Sequence, residues 1–557
     1  MPFKSLRELD PSEGTVQLYT GNFSRNHLES NETVLFPQPS SDPNDPLSWP
    51  KWRKHLVFFS ICLFACLNNF SGTVLSDSFF PISEDLGITL EDAAGLISWG
   101  ILTSGVANLV WVPTAIYFGK RPVFILSCAI CFVGAIWAAA STSYGSLLGG
   151  CIFGSFGGGA SEALGAAIVN DIYFMHERGT KMSWYIIFIA YGSSLGPLCG
   201  GYLIECTYPS LSLISQIHQK LSIATDKGWA WGKWLSAILL GVNLLLIIFF
   251  APETRFKRSP NPVARSDSSA ISESPSEKIA GNRYEYLEDG NNNLQSNQPN
   301  NEIHRKTYWE LLNPWSGVDK STSYWSLVFR PIPLLAYPAC FFATLTYSLS
   351  LAPTVMVNTV SSSVLIPPPY NFSVGAVGLI NIPGMSLVGQ GVGAIIGGVC
   401  IDRWSEYCAK RNNGVFVPET RLFLFFIPTT IVFVGIVLFG FSVEQQMSWA
   451  VIFVAYGLMS VGLTGSASIT MTYVCDCYFP VSAECLEMIN GIKNVVAFGL
   501  IHGVVPWVAS MGYAKAFGTL GGIFGGLMAL VVPLMVWGPE IRHHTSSKWR
   551  LVSWELE

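Results

Sequence analysis

Twelve continuous apolar stretches, six on each side of a long polar segment, constrain this chain more than any other feature. Each has about 20 residues or more, the length that an α-helix needs to cross a bilayer. Closed β-barrels need alternating segments of about ten residues, whereas these stretches are continuous. The predicted fold class is therefore an all-α membrane protein with twelve transmembrane helices in two six-helix halves. We predict spans over residues 55–80, 93–117, 122–140, 146–170, 182–204, 231–251, 328–352, 377–401, 421–441, 447–474, 486–510 and 513–537.

The composition agrees with this fold class and argues against several others. Of the 557 residues, 50% are hydrophobic and only 12% are charged, whereas soluble domains carry about 25% charged residues. No basic surface supports nucleic-acid binding. We find no nucleophile–base set, metal-ligand cluster or phosphate loop, so we expect no enzyme activity, no cofactor and no metal site.

The two sets of six spans close on similar phrases, APETR at 251–255 and GPEIR at 538–542. Many secondary transporters consist of two such repeated halves, with the substrate path between them. The predicted organisation is a cytoplasmic disordered tail over 1–54, a six-helix half over 55–251, a cytoplasmic central loop over 252–327, a second half over 328–538 and a cytoplasmic tail over 539–557.

The positive charges predict the orientation in the membrane. They cluster before the first span and in the loops between spans 2 and 3, 4 and 5, and 8 and 9. The loop between spans 1 and 2, in contrast, carries only acids. By the positive-inside rule both termini are cytoplasmic. The cytoplasmic charges are Lys51, Arg53, Lys54, Lys120, Arg121, Arg178, Lys181, Arg403, Lys410, Arg411 and Arg421.

The fifth–sixth loop is an exception to this charge pattern, because it contains Lys220 and Lys227 with Lys233 nearby. This loop, 206–227, is longer than such a connection needs: either Tyr208–Ile223 forms a short helix on the outer surface, or the stretch is sequence from an unremoved intron. In the central loop, 259–301 is too polar to order itself, and Tyr308–Trp315 is predicted to lie along the membrane as an amphipathic piece. Asn371 begins an outward-facing glycosylation triplet.

The fifth span contains a phrase of small residues: Gly192, Gly196, Pro197, Gly200 and Gly201. Small residues four apart allow close helix packing, and proline bends a helix. The full phrase resembles the helix-5 signature of proton-coupled antiporters of the major facilitator superfamily. The resemblance implies the fold of that superfamily, with this motif packing the helix against the other half and limiting proton leak.

Two further phrases resemble the loop motif of the same superfamily: GKRP at 119–122, and Gly398-x-x-x-Asp402-Arg403 at the end of the eighth span. The resemblance implies a cytoplasmic latch, in which Asp402 pairs with arginines of neighbouring helices. The first half has Ile116 where the aspartate would fall, so the latch is expected to be incomplete there. Lys120 and Arg121 are also explained by membrane topology alone.

Over residues 43–540 the chain resembles the fungal drug and polyamine branch of these antiporters. The supporting phrases are NDPLSWP at 44–50, NDIYF at 170–174 with HERG at 176–179, and Asn490-x-x-Lys493-Asn494. In the fourth span, antiporters of the superfamily carry an arginine linked to proton coupling, and this chain has Cys151 there. Proton coupling is therefore absent or rests on other groups.

Ionisable side chains inside a bilayer are costly and mark transport pathways. Glu162, inside the fourth span, is our candidate for attracting a cationic substrate or carrying a proton; a structural hydrogen bond is the alternative. Lys493 is a candidate for a gating salt bridge or a snorkelling lysine, while Asp171 and Asp476 are expected to anchor loops. Neutral candidates for the pathway are Asn68, Asn69, Tyr347, Gln390, Tyr473, Asn490 and Asn494.

The sequence therefore predicts a monomeric transporter of small organic molecules that exports them against protons across the plasma membrane, or alternatively the vacuolar membrane. Uptake of organic cations or polyamines is the alternative within transport. A nutrient sensor that keeps the fold without moving a substrate is the alternative outside it.

Overall fold

The computed structural model describes residues 42–207, 228–256, 323–372, 386–412 and 414–549, with a few short pieces outside these ranges. Eleven of the described helices are long and apolar enough to cross a membrane. Together with the described part of the eighth span, they confirm the predicted fold class. Residues 208–227, 259–301 and most of Tyr308–Trp315 lie outside the described residues.

Six helices form each half. The first half contains α1 (Lys51–Thr73), α2 (Leu90–Phe118), α3 (Lys120–Ala139), α4 (Tyr144–Ile172), α5 (Met175–Thr207) and α6 (Ala230–Phe250). The second half contains α7 (Pro338–Leu365), α8 (Ser386–Arg411), α9 (Pro418–Glu444), α10 (Trp449–Cys477), α11 (Ser482–Met511) and α12 (Tyr513–Trp549).

The helix α8 is interrupted by a π-helical turn over Ile396–Cys400. Such a turn shifts the backbone hydrogen bonds by one residue and often lies at a functional position. Inside this turn the carbonyl of Gly397 accepts a hydrogen bond from the hydroxyl of Ser468 in α10 at 3.1 Å. Just before the turn, the carbonyl of Ala394 accepts one from the hydroxyl of Ser183 in α5 at 2.8 Å, so the opposite half contacts α8 beside its irregular part.

Several helix boundaries differ from the sequence prediction. The helix α1 ends at Thr73, and a separate short helix, Phe79–Leu86, follows it. The helix α7 begins only at Pro338, because prolines in the preceding residues break the chain into the short helices Tyr324–Phe329 and Pro331–Leu334. The helix α12 continues past residue 537 to Trp549, with Pro539 inside it.

The segment before α1 is anchored to the bundle. Asp45 caps the 3-10 turn Pro46–Ser48 by accepting a hydrogen bond from the backbone N–H of Leu47 at 3.0 Å. The buried Lys54 donates to the carbonyl of Leu47 at 2.9 Å. Further upstream, Val16–Gln17 pairs with Val415–Phe416 between α8 and α9. The N-terminal segment therefore contacts both halves.

We call the face at which α1 begins and α12 ends the terminal face, and the opposite one the far face. The halves contact each other through α2 with α11, α4 with α11, and α5 with α8 and α10. Near the far face, Ser98 of α2 lies 3.0 Å from the ring nitrogen Nε2 of His502 in α11.

The glycines of the α5 motif pack within their own half. A Cβ added at Gly192 would lie 2.1 Å from the carbonyl oxygen of Cys66, and one at Gly200 would lie 2.1 Å from that of Val74, both on the chain of α1 or its end. The expectation that this motif packs against the other half is wrong here. The small residues let α5 approach α1, while Ser183 and Ser194 on other sides of α5 contact α8.

Candidate functional site

Three consecutive glycines place α4 at the centre of the first half. A Cβ added at Gly157 would meet the Ser127 carbonyl of α3, and one at Gly159 would meet the Ser104 carbonyl of α2, at 2.5 and 2.7 Å. Gly158 lies against the amide of Asn68 in α1. Because α4 is enclosed by its neighbours, Glu162, one turn further along, is buried between the two halves with 4% of its surface exposed.

Glu162 forms an ion pair with Lys493 of α11, with 3.0 Å between Oε2 and Nζ. The side-chain amide of Asn494 donates to the same oxygen at 2.9 Å. The ammonium group of Lys493 also lies 4.8 Å from the ring centroid of Tyr347 in α7. Four of the predicted site residues are thus brought together at one point, where α4 meets the second half.

Lys493 does not snorkel to the membrane surface. It lies eleven residues after the start of α11 at Ser482, which is about 16 Å along the helix axis at 1.5 Å per residue. Its side chain is 3% exposed. Since an unpaired charge at this depth would be costly, the Glu162 carboxylate is what allows Lys493 to be there.

The backbone beside Glu162 is held by Tyr185 of α5. The Tyr185 hydroxyl donates to the carbonyl of Glu162 at 2.8 Å and also contacts the carbonyl of Ser161. Gly165 leaves room for this ring, because a Cβ there would lie 2.5 Å from a ring carbon of Tyr185. The position of the carboxylate is therefore determined by packing as well as by its ion pair.

A cavity of about 160 Å³ lies beside this cluster, between the halves. Its lining runs from Glu162 and Lys493 at mid-depth to Thr73, Ser76 and Asn358 near the far-face ends of α1 and α7. Among the described residues that line it, Glu162 is the one carboxylate. The cavity thus extends from the centre of the bundle toward the far face.

Four of the neutral candidates line this cavity: Tyr347 and Asn494 beside Glu162, and Asn68 and Asn69 on α1. The Asn69 amide donates to the Ala65 carbonyl in its own helix at 2.9 Å, which leaves its carbonyl oxygen available. Ser193 and Thr354 add hydroxyl groups to the wall. These polar groups give the cavity hydrogen-bonding capacity around a single acid.

Three other candidates are not brought to the cavity. Gln390 bridges α8 to α5 by donating to the Ser194 hydroxyl at 2.9 Å. Asn490 donates to the carbonyl of Leu486 in its own helix at 2.8 Å. Tyr473 is buried in α10 toward the terminal face, 1% exposed. A helix presents only one side to a cavity, and the sequence alone does not say which side.

Lys233 lines the cavity, although the sequence prediction mentioned it only as a positive charge near the fifth–sixth loop. It lies in α6 with 4% of its surface exposed, and its ammonium group donates to the Ser71 carbonyl of α1. It lines the same cavity as Cys151. Its position within the first turn of an apolar helix is a signal that could have identified it.

At the terminal face a network of buried charges closes the gap between the halves; we call it the terminal latch. It consists of Arg178 and Thr180 of α5 with Asp402, Arg421 and Asp476 of the second half. Arg178 lies 2.9 Å and Arg421 2.8 Å from the Asp476 carboxylate, and Arg421 also lies 2.9 Å from Asp402. Thr180 donates to Asp402 through its backbone N–H and its hydroxyl.

The predicted pairing of Asp402 with an arginine of a neighbouring helix is present, and that arginine is Arg421. The adjacent Arg403 is exposed and is not part of the terminal latch. In the first half, Lys120 pairs with Asp171 in the equivalent place. Asp171 and Asp476 thus both form ion pairs at the terminal-face ends of their helices.

The repeated phrases join corresponding helices in the two halves by different chemistry. Glu253 accepts hydrogen bonds from the backbone N–H groups of Lys120 and Arg121, at 3.1 and 3.2 Å, and so caps the start of α3. In the second half Arg542 forms a bidentate pair with Glu419 at the start of α9, at 2.9 and 3.0 Å. Each link ties the sixth helix of a half to its third.

Comparison with known proteins finds a matching family model, related sequences and a solved structure with a similar fold. The family model described as "Major Facilitator Superfamily" matches residues 57–481. The chain is 25% identical to an uncharacterized MFS-type transporter of Schizosaccharomyces pombe, covering 96% of this chain and 93% of the relative. It is 23% identical to the MFS antiporter QDR3 of Candida albicans, covering 92% and 81%. The proton:xylose symporter XylE of Escherichia coli has a similar fold, with a TM-score of 0.54, 12% identity and coverage of 87% and 96%.

Proposed function

Because the chain belongs to the major facilitator superfamily of membrane transporters, we propose that it exports small organic molecules in exchange for protons and that Glu162 carries the proton. The observation behind this proposal is the ion pair of Glu162 with Lys493, which joins the halves at the inner end of the cavity. The antiporter named among its relatives is consistent with exchange.

In this proposal a proton competes with Lys493 and Asn494 for the carboxylate of Glu162. An ionised Glu162 binds Lys493 and Asn494 and ties α4 to α11. A proton on Glu162 removes the ion pair and leaves at most hydrogen bonds between neutral and charged groups, which weakens the tie between the halves. A proton arriving through the cavity from the far face therefore changes the contact that the alternating halves share.

Proton coupling does not need the helix-4 arginine in this scheme. Cys151 occupies that place on α4, but Glu162 and Lys493 lie deeper in the same cavity. Their charges lie 3.0 Å apart in a medium of low dielectric constant, where their mutual attraction is stronger than in water.

Uptake of an organic cation is the second candidate function, and one observation favours it. The single described carboxylate of the cavity is reached from the far face, where an external cation would enter. A cationic group of the substrate would then take the place of Lys493 beside Glu162.

The experiment uses purified protein in liposomes with an imposed pH gradient and a panel of organic cations and neutral compounds. We expect the gradient to drive accumulation by the wild type. Glu162→Gln should lose gradient-driven accumulation but still equilibrate substrates down their own gradients. Glu91→Gln makes the same chemical change at an exposed position on the far face and should behave as the wild type.

The outcomes separate the candidates. Gradient-driven accumulation that survives in Glu162→Gln would reject Glu162 as the proton carrier. Loss of cation transport with normal transport of neutral compounds would instead support the uptake of cations. If no compound moves under any gradient, the protein behaves as a sensor and both transport proposals fail.

A further inference from the structure

We propose that the terminal face carries a second binding site, for an anion with a phosphate group, between the two halves. A pocket of about 590 Å³ lies there, outside the terminal latch. The start of α1, the start of α5 and the end of α8 line it. It is distinct from the central cavity, which lies on the other side of the latch.

The charges of this pocket favour an anion. Five lysine and arginine side chains line it, against three carboxylates. Two histidines, His55 and His176, add further donors. The cations are Lys51, Lys54, Lys181, Arg403 and Arg421, and the acids are Glu177, Asp402 and Glu406.

Each of the three carboxylates already has a partner within the protein. Asp402 accepts from Arg421 and Thr180 within the terminal latch. Glu406 pairs with Lys410 at 2.8 Å. Glu177 lies 3.6 Å from the ring of His176. Glu177 also acts electrostatically on Lys54 and Lys181, so the three carboxylates offset the five cations of the pocket only in part.

The remaining cations are held mainly by uncharged groups. Lys54 donates to a backbone carbonyl and lies 4.9 Å from the ring centroid of Phe174. Lys181 lies 4.9 Å from the ring centroid of Tyr173. Within the described part of the chain, the salt bridges do not include Lys51, Lys181 or Arg403.

A phosphomonoester fits this arrangement, because it carries a charge of about −1.5 to −2 and three acceptor oxygens. Such a group placed between Lys181 of α5 and Arg403 of α8 would bind to both halves. It would thereby stabilise the state in which the terminal face is closed and the central cavity extends to the far face.

The anion could come from a lipid headgroup or from solution. The pocket begins at Lys51, and the neighbouring Trp52 is 65% exposed, as expected of a tryptophan at the membrane–water interface. Both sources present the same chemistry to the pocket, and the experiment distinguishes them.

The test measures the apparent melting temperature of the full-length protein. One arm adds inorganic pyrophosphate to protein in detergent, and the other uses phosphatidylcholine vesicles with or without phosphatidylinositol 4-phosphate. We expect at least one arm to raise the melting temperature, by about 2 °C at saturating ligand. Stabilisation by pyrophosphate indicates a soluble anion, and stabilisation by the lipid alone indicates a headgroup; both support the site.

Variants assign the effect to this pocket. Lys181→Gln and Arg403→Gln should each raise the ligand concentration for half-maximal stabilisation about tenfold, as expected for loss of a charge-assisted hydrogen bond. Lys515→Gln removes a lysine from an exposed position at the far-face end of α12 and should leave that concentration unchanged. If neither arm stabilises the wild type, or if the three variants behave alike, the proposal is overturned.

Discussion

The Oε2 atom of Glu162 and the Nζ atom of Lys493 lie 3.0 Å apart, although 331 positions of sequence separate them. One belongs to each half of the bundle, and both are almost completely buried. An unpaired charge at this depth would be costly. The pair therefore ties the two halves together at the inner end of the cavity.

Removing one member of this pair should destabilise the protein more than removing both. We expect Glu162→Gln and Lys493→Met each to lower the unfolding free energy by about 3–5 kcal/mol, because each leaves a buried group without its partner. The double variant should lose less unfolding free energy than the sum of the losses of the two single variants. Apparent melting temperatures in detergent measure this.

The control for this cycle is Lys410→Met, which breaks the exposed pair of Lys410 with Glu406 and should cost at most about 1 kcal/mol. Additive effects of the two buried substitutions would show that Glu162 and Lys493 do not depend on each other.

Loss of Arg178 should open the terminal face. Arg178 is fully buried and provides the ion pair from the first half to Asp476. With Arg178→Gln we expect Cys477 and Cys485, both fully buried near the terminal face, to react faster with a membrane-permeant maleimide. Mass spectrometry of the labelled protein gives the rates at each cysteine.

Lys410→Gln provides the comparison, since it removes an exposed charge from the same face. It should leave both labelling rates as in the wild type. Unchanged rates in Arg178→Gln would mean that the terminal latch does not hold this face closed.

Gly179 is required where α5 passes Asp402. A Cβ at this position would lie 2.2 Å from Oδ1 of Asp402 and 2.8 Å from the Arg421 guanidinium, so Gly179→Ala must displace the latch. We expect it to lower the melting temperature and to increase cysteine labelling in the same way as Arg178→Gln.

In Gly145→Ala the added methyl group would have no atom within 4 Å, and alanine also favours helix over glycine by about 1 kcal/mol. This variant should be as stable as the wild type or more so. Equal stability of Gly179→Ala and Gly145→Ala would contradict the tight contact.

Glycosylation tests the predicted orientation. Asn371 is exposed in the connection after α7, at the far face. If that face lies outside the cytoplasm, the protein from a eukaryotic host should shift in mobility after treatment with a glycosidase, and Asn371→Gln should remove the shift. Two further Asn-x-Ser/Thr triplets begin at Asn22 and Asn31 in the predicted cytoplasmic tail, so they should stay unmodified and act as internal controls.

A shift that persists in Asn371→Gln but disappears when Asn22 and Asn31 are changed would place the terminal face outside. The predicted orientation of both termini would then be reversed.

The sequence by itself determined the membrane-spanning architecture, because hydropathy over about 20 residues is a local property that needs no partner. The sequence also showed that Asp402, Asp171 and Asp476 lie near helix ends, where a charged side chain can reach water and costs little free energy. Glu162 could be singled out because an acid in the middle of an apolar helix is rare. These features follow from the composition of single segments.

Only the tertiary structure decided which polar side chains lie together at the central cavity. Glu162 and Lys493 meet because α4 and α11 cross between the halves, whereas Gln390, Asn490 and Tyr473 point to other neighbours. Gly192, Gly196 and Gly200 of α5 face α1 or its end, and Lys233 enters the cavity from α6. The rotation of each helix about its axis depends on packing with distant segments, and one helix's hydropathy cannot specify it, because nearly all of its sides are apolar.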